Sequence, residues 1–420
     1  MAPLRIGIIG CGRILPAHLH GYRLALEGGH IDVRISALAA RRLDDARMFA
    51  KRGEGPPPRP PVSRNPGDPL SAPHLYVSDL HPDTVPRVTD DWRSLIHDDA
   101  LDAVDITTTV STHHEMAIAA LEAGKHVMMQ KPIAVSVRAA KAMVAAAKAN
   151  GRVLAVMENV RYAKGVRAMK WAIESGLIGE LQMTAGLSIG TADWSPDLIV
   201  ADTPWRHHQL EAGGGAAIDI GVHLFHQHRY VCGEIETVSA LTRTFEPVRR
   251  RRPDSPQAAT DPTTPADVDD AYFAHFEFKN GAIGQSTFTW AGHGESAHLP
   301  GGNLIYVSKG CIKGGQVHLD DGRSLNLVEH FTAHAPRSVQ DRWFPGGITD
   351  AFALAYIDFA GAIREGRETD ASGEEGLWDL ACAFAILESG HAKAPVRVAD
   401  VVSGRVDAYQ RPIDRHYKLV

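Results

Sequence analysis

An apolar run, Leu4–Ile9, leads straight into Gly10-Cys11-Gly12, and a helical pattern follows over residues 13–26. A buried strand that turns into a helix through glycines commits the chain to a βαβ start and so to a parallel sheet. Gly10 permits the tight turn and Gly12 lets a pyrophosphate approach the backbone. The helix start offers free N–H groups and partial positive charge. On this reading Gly10, Cys11, Gly12, Arg13 and Ile14 hold a dinucleotide. The third small residue of the usual fingerprint is replaced by Leu15, so a plain strand–helix turn stays open beside it.

The alternation continues. Strands are expected at Val33–Ala39, 103–108, His126–Gln130 and 153–158, with helices over 44–52, 113–123 and 136–149. Residues 53–88 are proline-rich with little periodicity and read as a long surface loop. After Asn159 the texture changes. Helices are expected near 166–175, 216–232, 350–365 and 376–389. Between them lie alternating segments at Ala271–Phe278, 282–290, 303–308 and 325–328. Lys279-Asn280-Gly281 and Asp320-Asp321-Gly322 suit hairpin turns. Arginines 249–252 read as a solvated loop. At 420 residues two domains are expected: 1–155, an α/β nucleotide-binding domain, and 156–420, an α/β domain with a mainly antiparallel sheet.

An acid usually ends the second strand to take the ribose hydroxyls. Here the chain reads Ala39-Ala40-Arg41-Arg42. Two guanidiniums suit a 2′-phosphate and favour NADP over NAD, the alternative being two solvated arginines.

The net charge of −6 argues against nucleic acid as a partner. Cys11, Cys232, Cys311 and Cys382 are scattered, which disfavours a disulfide framework or a cysteine zinc site. No apolar run approaches the roughly 20 residues that span a bilayer, and the early strand leaves no room for a signal peptide. A cytoplasmic protein is expected.

Several ordered segments resemble the glucose–fructose oxidoreductase/inositol dehydrogenase/rhizopine catabolism (Gfo/Idh/MocA) family. They are Gly7-Ile8-Ile9-Gly10-Cys11-Gly12, the stretch from Ala120 to Val127, Gln130-Lys131-Pro132, Glu158-Asn159-Val160-Arg161-Tyr162, Trp205-Arg206, Gly213-Gly214-Gly215 leading to Asp219 and His223, and Ser308-Lys309-Gly310. The resemblance covers nearly the whole chain. It implies a Rossmann domain followed by an α/β domain on a large open, mainly antiparallel sheet. It also implies NAD(P)-linked oxidation or reduction of a sugar, cyclitol or sugar derivative, and assembly into homodimers or homotetramers. Three positions depart from the family pattern. Gln130 stands for its Glu, Thr108-Thr109 for its Thr-Pro, and His226 for the acid after its motif histidine.

The resemblance makes Lys131, Asp219 and His223 the catalytic set. Asp219 and His223, spaced i, i+4 on an expected helix, share a face, so the carboxylate can orient the imidazole as a base. Lys131, after a strand end, can polarise the reacting oxygen. Its bond to Pro132 is expected to be cis. The cofactor set is completed by Thr108, Thr109, His113, Gln130, Lys131, Trp205 and Arg206, and the substrate set is Arg161, Tyr162, His226 and, in a loop after a long strand of the second domain, His293, with His298 a further candidate. The 22 histidines raise a metal site built from Asp219, His223 and His226 with His207 and His208. Redox chemistry already explains that face, so no metal is assigned. Two other functions stay open: a redox-assisted glycosidase or lyase that uses the same cofactor transiently, and a non-catalytic nucleotide-binding sensor.

Overall fold

The computed structural model describes residues 2–190, 196–300 and 302–420. The chain divides into two compact units: Met1–Ala134 with Ala139–Tyr162 and Asp341–Gly376, and Val135–Arg138 with Ala163–Gln340 and Leu377–Val420.

The first unit carries six strands: β1 (Leu4–Ile9), β2 (Val33–Ala39), β3 (Arg87–Thr89), β4 (Ala103–Ile106), β5 (His126–Gln130) and β6 (Leu154–Met157). All neighbours pair parallel, in the order β3-β2-β1-β4-β5-β6. That is the doubly wound order whose ligands lie beyond the carboxyl ends of the strands. Ile6, Ile8, Ile35, Val104, Ile106, Val127 and Met129 are sealed in its core, as expected for strands covered on both faces. One polar residue, Asp105 on β4, is fully buried among them. Helix α1 (Leu15–Glu27) packs on the distant helix Ala351–Glu365. A Cβ on Gly21 would come within 2.6 Å of Phe352, so glycine permits the approach. β3 emerges from the end of the proline-rich stretch expected to be all loop. At three residues it is too short to show periodicity.

The second unit is built on ten strands: β7 (Leu181–Ile189), β8 (Ile235–Arg243), β11 (Ala271–Phe278), β12 (Ile283–Thr289), β13 (Ala297–His298), β14 (Leu304–Val307), β15 (Gly310–Lys313), β16 (Gln316–Leu319), β17 (Ser324–Asn326) and β18 (Val396–Arg397). Its order is β17-β16-β15-β14-β7-β12-β11-β8-β18, with β13 paired to β7. The sheet is antiparallel except where β12 meets β7. The two expected turns join β11 to β12 and β16 to β17, with Gly281 and Gly322 at φ 88° and 89°, where only glycine is unstrained. Residues 327–334, expected in part as strand, form a helix that Asn326 caps through the amides of Val328 and Glu329.

Arginines 249–252 are not a solvated loop. β9 (Val248–Arg250) pairs with β10 (Thr263–Pro265), and Arg249 is fully buried with Nη2 3.0 Å from Asp270 Oδ2. Arg250 pairs with Asp197, and Arg251 with Asp202 at 2.7 Å and Asp261 at 2.5 Å. Carboxylates elsewhere in the chain pair with this basic run, from the buried Arg249 to the exposed Arg250.

Candidate active site

In the first unit the expected residues gather at the carboxyl edge of the parallel sheet. Gly10 follows β1 with φ 107°, and a Cβ there would lie 2.7 Å from the Thr107 backbone. A Cβ on Gly12 would meet nothing nearer than Thr107 O at 4.0 Å, so its missing side chain leaves open space over the turn. No side chain caps α1, and its N-cap is Ile14. An open glycine turn with an uncapped helix start fits a pyrophosphate. Thr107 Oγ1 donates to the Gly10 carbonyl at 2.5 Å, which ties the turn to the end of β4.

Thr108 and Thr109 come next, and Thr112 Oγ1 donates to Thr108 Oγ1 at 2.8 Å. His113 is fully buried. Burial holds its imidazole neutral, down to about 4. A neutral ring has one N–H to give, and the shorter contact is Nδ1 to Pro132 O at 3.0 Å. It ties α-helical residue His113 to the Lys-Pro segment. Gln130 ends β5, Lys131 follows it, and the Lys131–Pro132 bond is cis, as the resemblance implies.

At the end of β2, Arg42 is committed to Asp45 at 2.9 Å. Arg59, from the proline-rich loop, pairs with the same carboxylate and donates to Cys11 O at 3.3 Å. Burial alone would raise the Asp45 carboxyl, but the two arginines hold it below the ordinary value. Arg41 is exposed with no ion-pair partner among the described residues. Arg59 was not foreseen, because nothing in a loop without periodicity reports where it folds back. Arg161 meets Glu375 at 3.1 Å, and the buried Tyr162 donates to Asp358 at 2.9 Å.

In the second unit the expected helix over 216–232 is two helices, Ala216–Asp219 and Gly221–Cys232, parted at Ile220 (φ −102°, ψ −37°). Asp219 ends the first and His223 lies in the first turn of the second. Asp219 pairs with Arg206, Nε to Oδ2 at 3.3 Å. Arg206 also donates to Thr203 Oγ1 at 2.6 Å and lies 4.4 Å from the Trp205 ring centroid. Trp205, Arg206 and Asp219 therefore form one connected set.

The three glycines are needed for close approach. A Cβ on Gly215 would overlap the Asp269 carbonyl oxygen, and one on Gly213 would lie 2.5 Å from Val135 O. Asp269, unnoticed in the sequence, accepts from Gly215 N at 2.8 Å and Ala217 N at 2.7 Å. Burial raises its carboxyl to about 6.

The remaining histidines separate. His226 is buried with Nδ1 2.5 Å from Asp379. His207 accepts from Val200 N at 3.1 Å, and burial lowers it to about 3. His208 meets Thr264 at 3.0 Å. His293 is exposed and reaches Glu246 at 2.7 Å, while His298 reaches Ser188 at 3.2 Å.

Residues 71–158 match the oxidoreductase family with an NAD-binding Rossmann fold, and residues 166–313 match the GFO/IDH/MocA C-terminal domain. The chain is 36% identical to levoglucosan dehydrogenase of Pseudarthrobacter phenanthrenivorans over 336 residues, 74% of this chain and 84% of that protein. It is 28% identical to 1,5-anhydro-D-fructose reductase of Ensifer adhaerens, over 74% of this chain and 83% of the other. A solved levoglucosan dehydrogenase in complex with NADH and L-sorbose superposes with TM-score 0.73 at 25% identity, covering 95% of this chain and 99% of that one.

Proposed function

From the premise that this chain belongs to the Gfo/Idh/MocA oxidoreductase family, we propose that Lys131, Asp219 and His223 handle the proton in its oxidation or reduction of a sugar, cyclitol or sugar derivative. The chain is an NAD-linked oxidoreductase of the sugar and polyol type. The observation that carries the site assignment is that Gly10, Thr108 and Lys131 follow three adjacent strands, β1, β4 and β5, at their carboxyl ends. A bound nicotinamide dinucleotide supplies the hydride acceptor or donor. The glycine turn, with Cys11, Arg13 and Ile14, binds its pyrophosphate, and Thr108, Thr109, Gln130, Trp205 and Arg206 line its course.

In oxidation the Lys131 ammonium stabilises the alkoxide that forms as the hydroxyl proton leaves. His223 takes that proton, and Asp219, steadied by Arg206, supports the imidazolium. Arg161 and His293 contact the sugar. Tyr162 and His226, paired with Asp358 and Asp379, complete the proposed substrate set. For the 2′-phosphate form the available cation is Arg41, since Arg42 is held by Asp45. Arg41→Ala then weakens NADPH and leaves NADH unchanged in fluorescence titration.

The test is turnover on a panel that begins with levoglucosan, 1,5-anhydro-D-fructose and a D-glucoside, with reduced nicotinamide and sugar product both quantified. One oxidised sugar per reduced cofactor supports the proposal. Glycoside cleavage with no net reduction supports redox-assisted bond breaking instead. Lys131→Ala should abolish turnover while NADH still binds.

The open sheet face suits a second copy of the chain. Met183, Ile283, Phe273 and Leu241 stand 44–62% exposed on the adjacent strands β7, β12, β11 and β8. Such a patch marks an association surface, and light scattering should give a dimer or tetramer. Among the described residues no helix is long and apolar enough to cross a membrane. The four cysteines are free, which suits the reducing cytoplasm expected from sequence.

A further inference from the structure

The buried Asp105 sits in a hydrogen-bonded cluster that ends at Lys131. His18, on the first turns of α1, places Nδ1 3.2 Å from Asp105 Oδ2 and 2.6 Å from the Tyr356 hydroxyl. Tyr356 donates to Asp105 Oδ2 at 2.6 Å, and Tyr22 donates to the same oxygen at 3.3 Å. Burial and the neighbouring carboxylate push both phenols well above the ordinary tyrosine value, so both remain donors. On its other side His18 Nε2 lies 2.8 Å from Gln130 Nε2, and Gln130 Oε1 accepts from the Lys131 backbone N–H at 2.6 Å.

The direction of every bond follows from one of them. The Lys131 N–H can meet only the amide oxygen of Gln130, so the Gln130 NH2 must face His18. That requires a lone pair on His18 Nε2, and the ring proton therefore sits on Nδ1, donated toward Tyr356 and Asp105. The imidazole is neutral. The groups facing the ring are Gln130 (β5), Asp105 (β4) and Tyr356 (helix Ala351–Glu365), with Tyr22 (α1) on the far side of the shared carboxylate oxygen, and Phe352 packs edge-on at 5.3 Å between centroids.

We propose that Gln130 is a positioning residue that fixes the Lys131 backbone against α1 through this neutral histidine. An amide accepts from Lys131 N–H with one atom and donates to His18 with the other. A glutamate, the residue of the family pattern at this position, accepts at both ends. It would draw the His18 ring proton to Nε2 and leave Nδ1 to accept from the Tyr356 hydroxyl, which then no longer donates to Asp105. The proposal rests on reading Lys131 as the proton-handling lysine. It adds that the lysine's setting depends on the tautomer of a side chain outside the proposed catalytic and cofactor sets.

The test uses the full-length protein with Gln130→Ala, Gln130→Glu and Lys131→Ala. Gln130→Ala should lower kcat about 10- to 100-fold, the cost of a small misplacement of a reacting group, and change the sugar KM far less. Gln130→Glu should keep part of the turnover that Gln130→Ala loses, because its carboxylate still accepts from the Lys131 N–H. Nitrogen-15 histidine spectra, with His18 assigned by its loss in His18→Gln, should show the ring proton on Nδ1 in the natural protein and on Nε2 in Gln130→Glu. A proton on Nε2 in the natural protein overturns the proposal. So does a proton that stays on Nδ1 alone in Gln130→Glu. Wild-type turnover in Gln130→Ala beside an inactive Lys131→Ala removes the positioning role alone, whereas an active Lys131→Ala removes the catalytic reading itself. The spectra read the hydrogen-bond chain in folded protein even if Gln130→Ala proves unstable.

Discussion

Arg206 Nε lies 3.3 Å from Asp219 Oδ2, and both side chains are mostly shielded, at 19% and 18% exposure. The carboxylate assigned to support His223 is thus steadied by a guanidinium from the Trp205-Arg206 segment. The Arg250 and Arg251 pairs with Asp197 and Asp202 anchor the chain just upstream of that segment.

Replacing Arg206 by alanine should lower kcat/KM about 10- to 100-fold, as misplacing a catalytic group does. Arg206→Lys should restore only part of this, because an ammonium lacks the fork that reaches Asp219 and Thr203 together. Steady-state kinetics over pH 6–9 checks both, and unchanged kinetics in Arg206→Ala would remove its link to Asp219.

Arg249→Ala should destabilise the fold by about 3–5 kcal/mol, because it strands the buried Asp270 without its cation. Arg250→Ala, at an exposed guanidinium, should cost no more than about 1 kcal/mol. Urea unfolding compares them. Equal losses would mean that burial of the Arg249–Asp270 pair does not set the cost.

Gly215→Ala should abolish activity and lower the melting temperature, since its Cβ would overlap the Asp269 carbonyl oxygen. Gly281→Ala places its Cβ in open space and pays only for its positive φ, a cost of about 1 kcal/mol. Activity that survives Gly215→Ala would show that the loop before Asp219 can relax.

Acid should unfold the protein through buried histidines. His113, His207 and His228 are lowered by burial to about 4, 3 and 4. Below the ordinary value near 6.5 the unfolded chain binds three protons that the folded chain refuses. Stability is therefore full above pH 6.5 and falls as pH drops toward 4, at up to about 1.4 kcal/mol per pH unit for each ring. Asp269, raised to about 6, acts in the opposite sense over part of the same window. Urea unfolding at pH 7, 6 and 5 checks the slope, and a flat profile would show that these rings accept protons in the folded state.

Most of the nucleotide half was legible in the sequence. Parallel strands buried on both faces read as unbroken apolar runs, and glycine at Gly10 marks a backbone that no other residue adopts easily. The hairpins at Gly281 and Gly322 were legible for the same reason. Arginines 249–252 were misread because a local basic run says nothing about the carboxylates that meet it. The break at Ile220 escaped notice because helical periodicity runs straight through it.

The sequence by itself determined the βαβ start, the glycine turn, the hairpins and the family to which the chain belongs. These depend on backbone conformation and on residue order, which are local. Tertiary structure alone decided that helix Ala351–Glu365 returns to the first unit, bringing Tyr356 to Asp105 and His18. It also decided that Asp45 takes two arginines, and that Gln130 faces a neutral imidazole. Those outcomes turn on which polar groups meet once water is excluded, and buried polar groups choose partners by proximity in space.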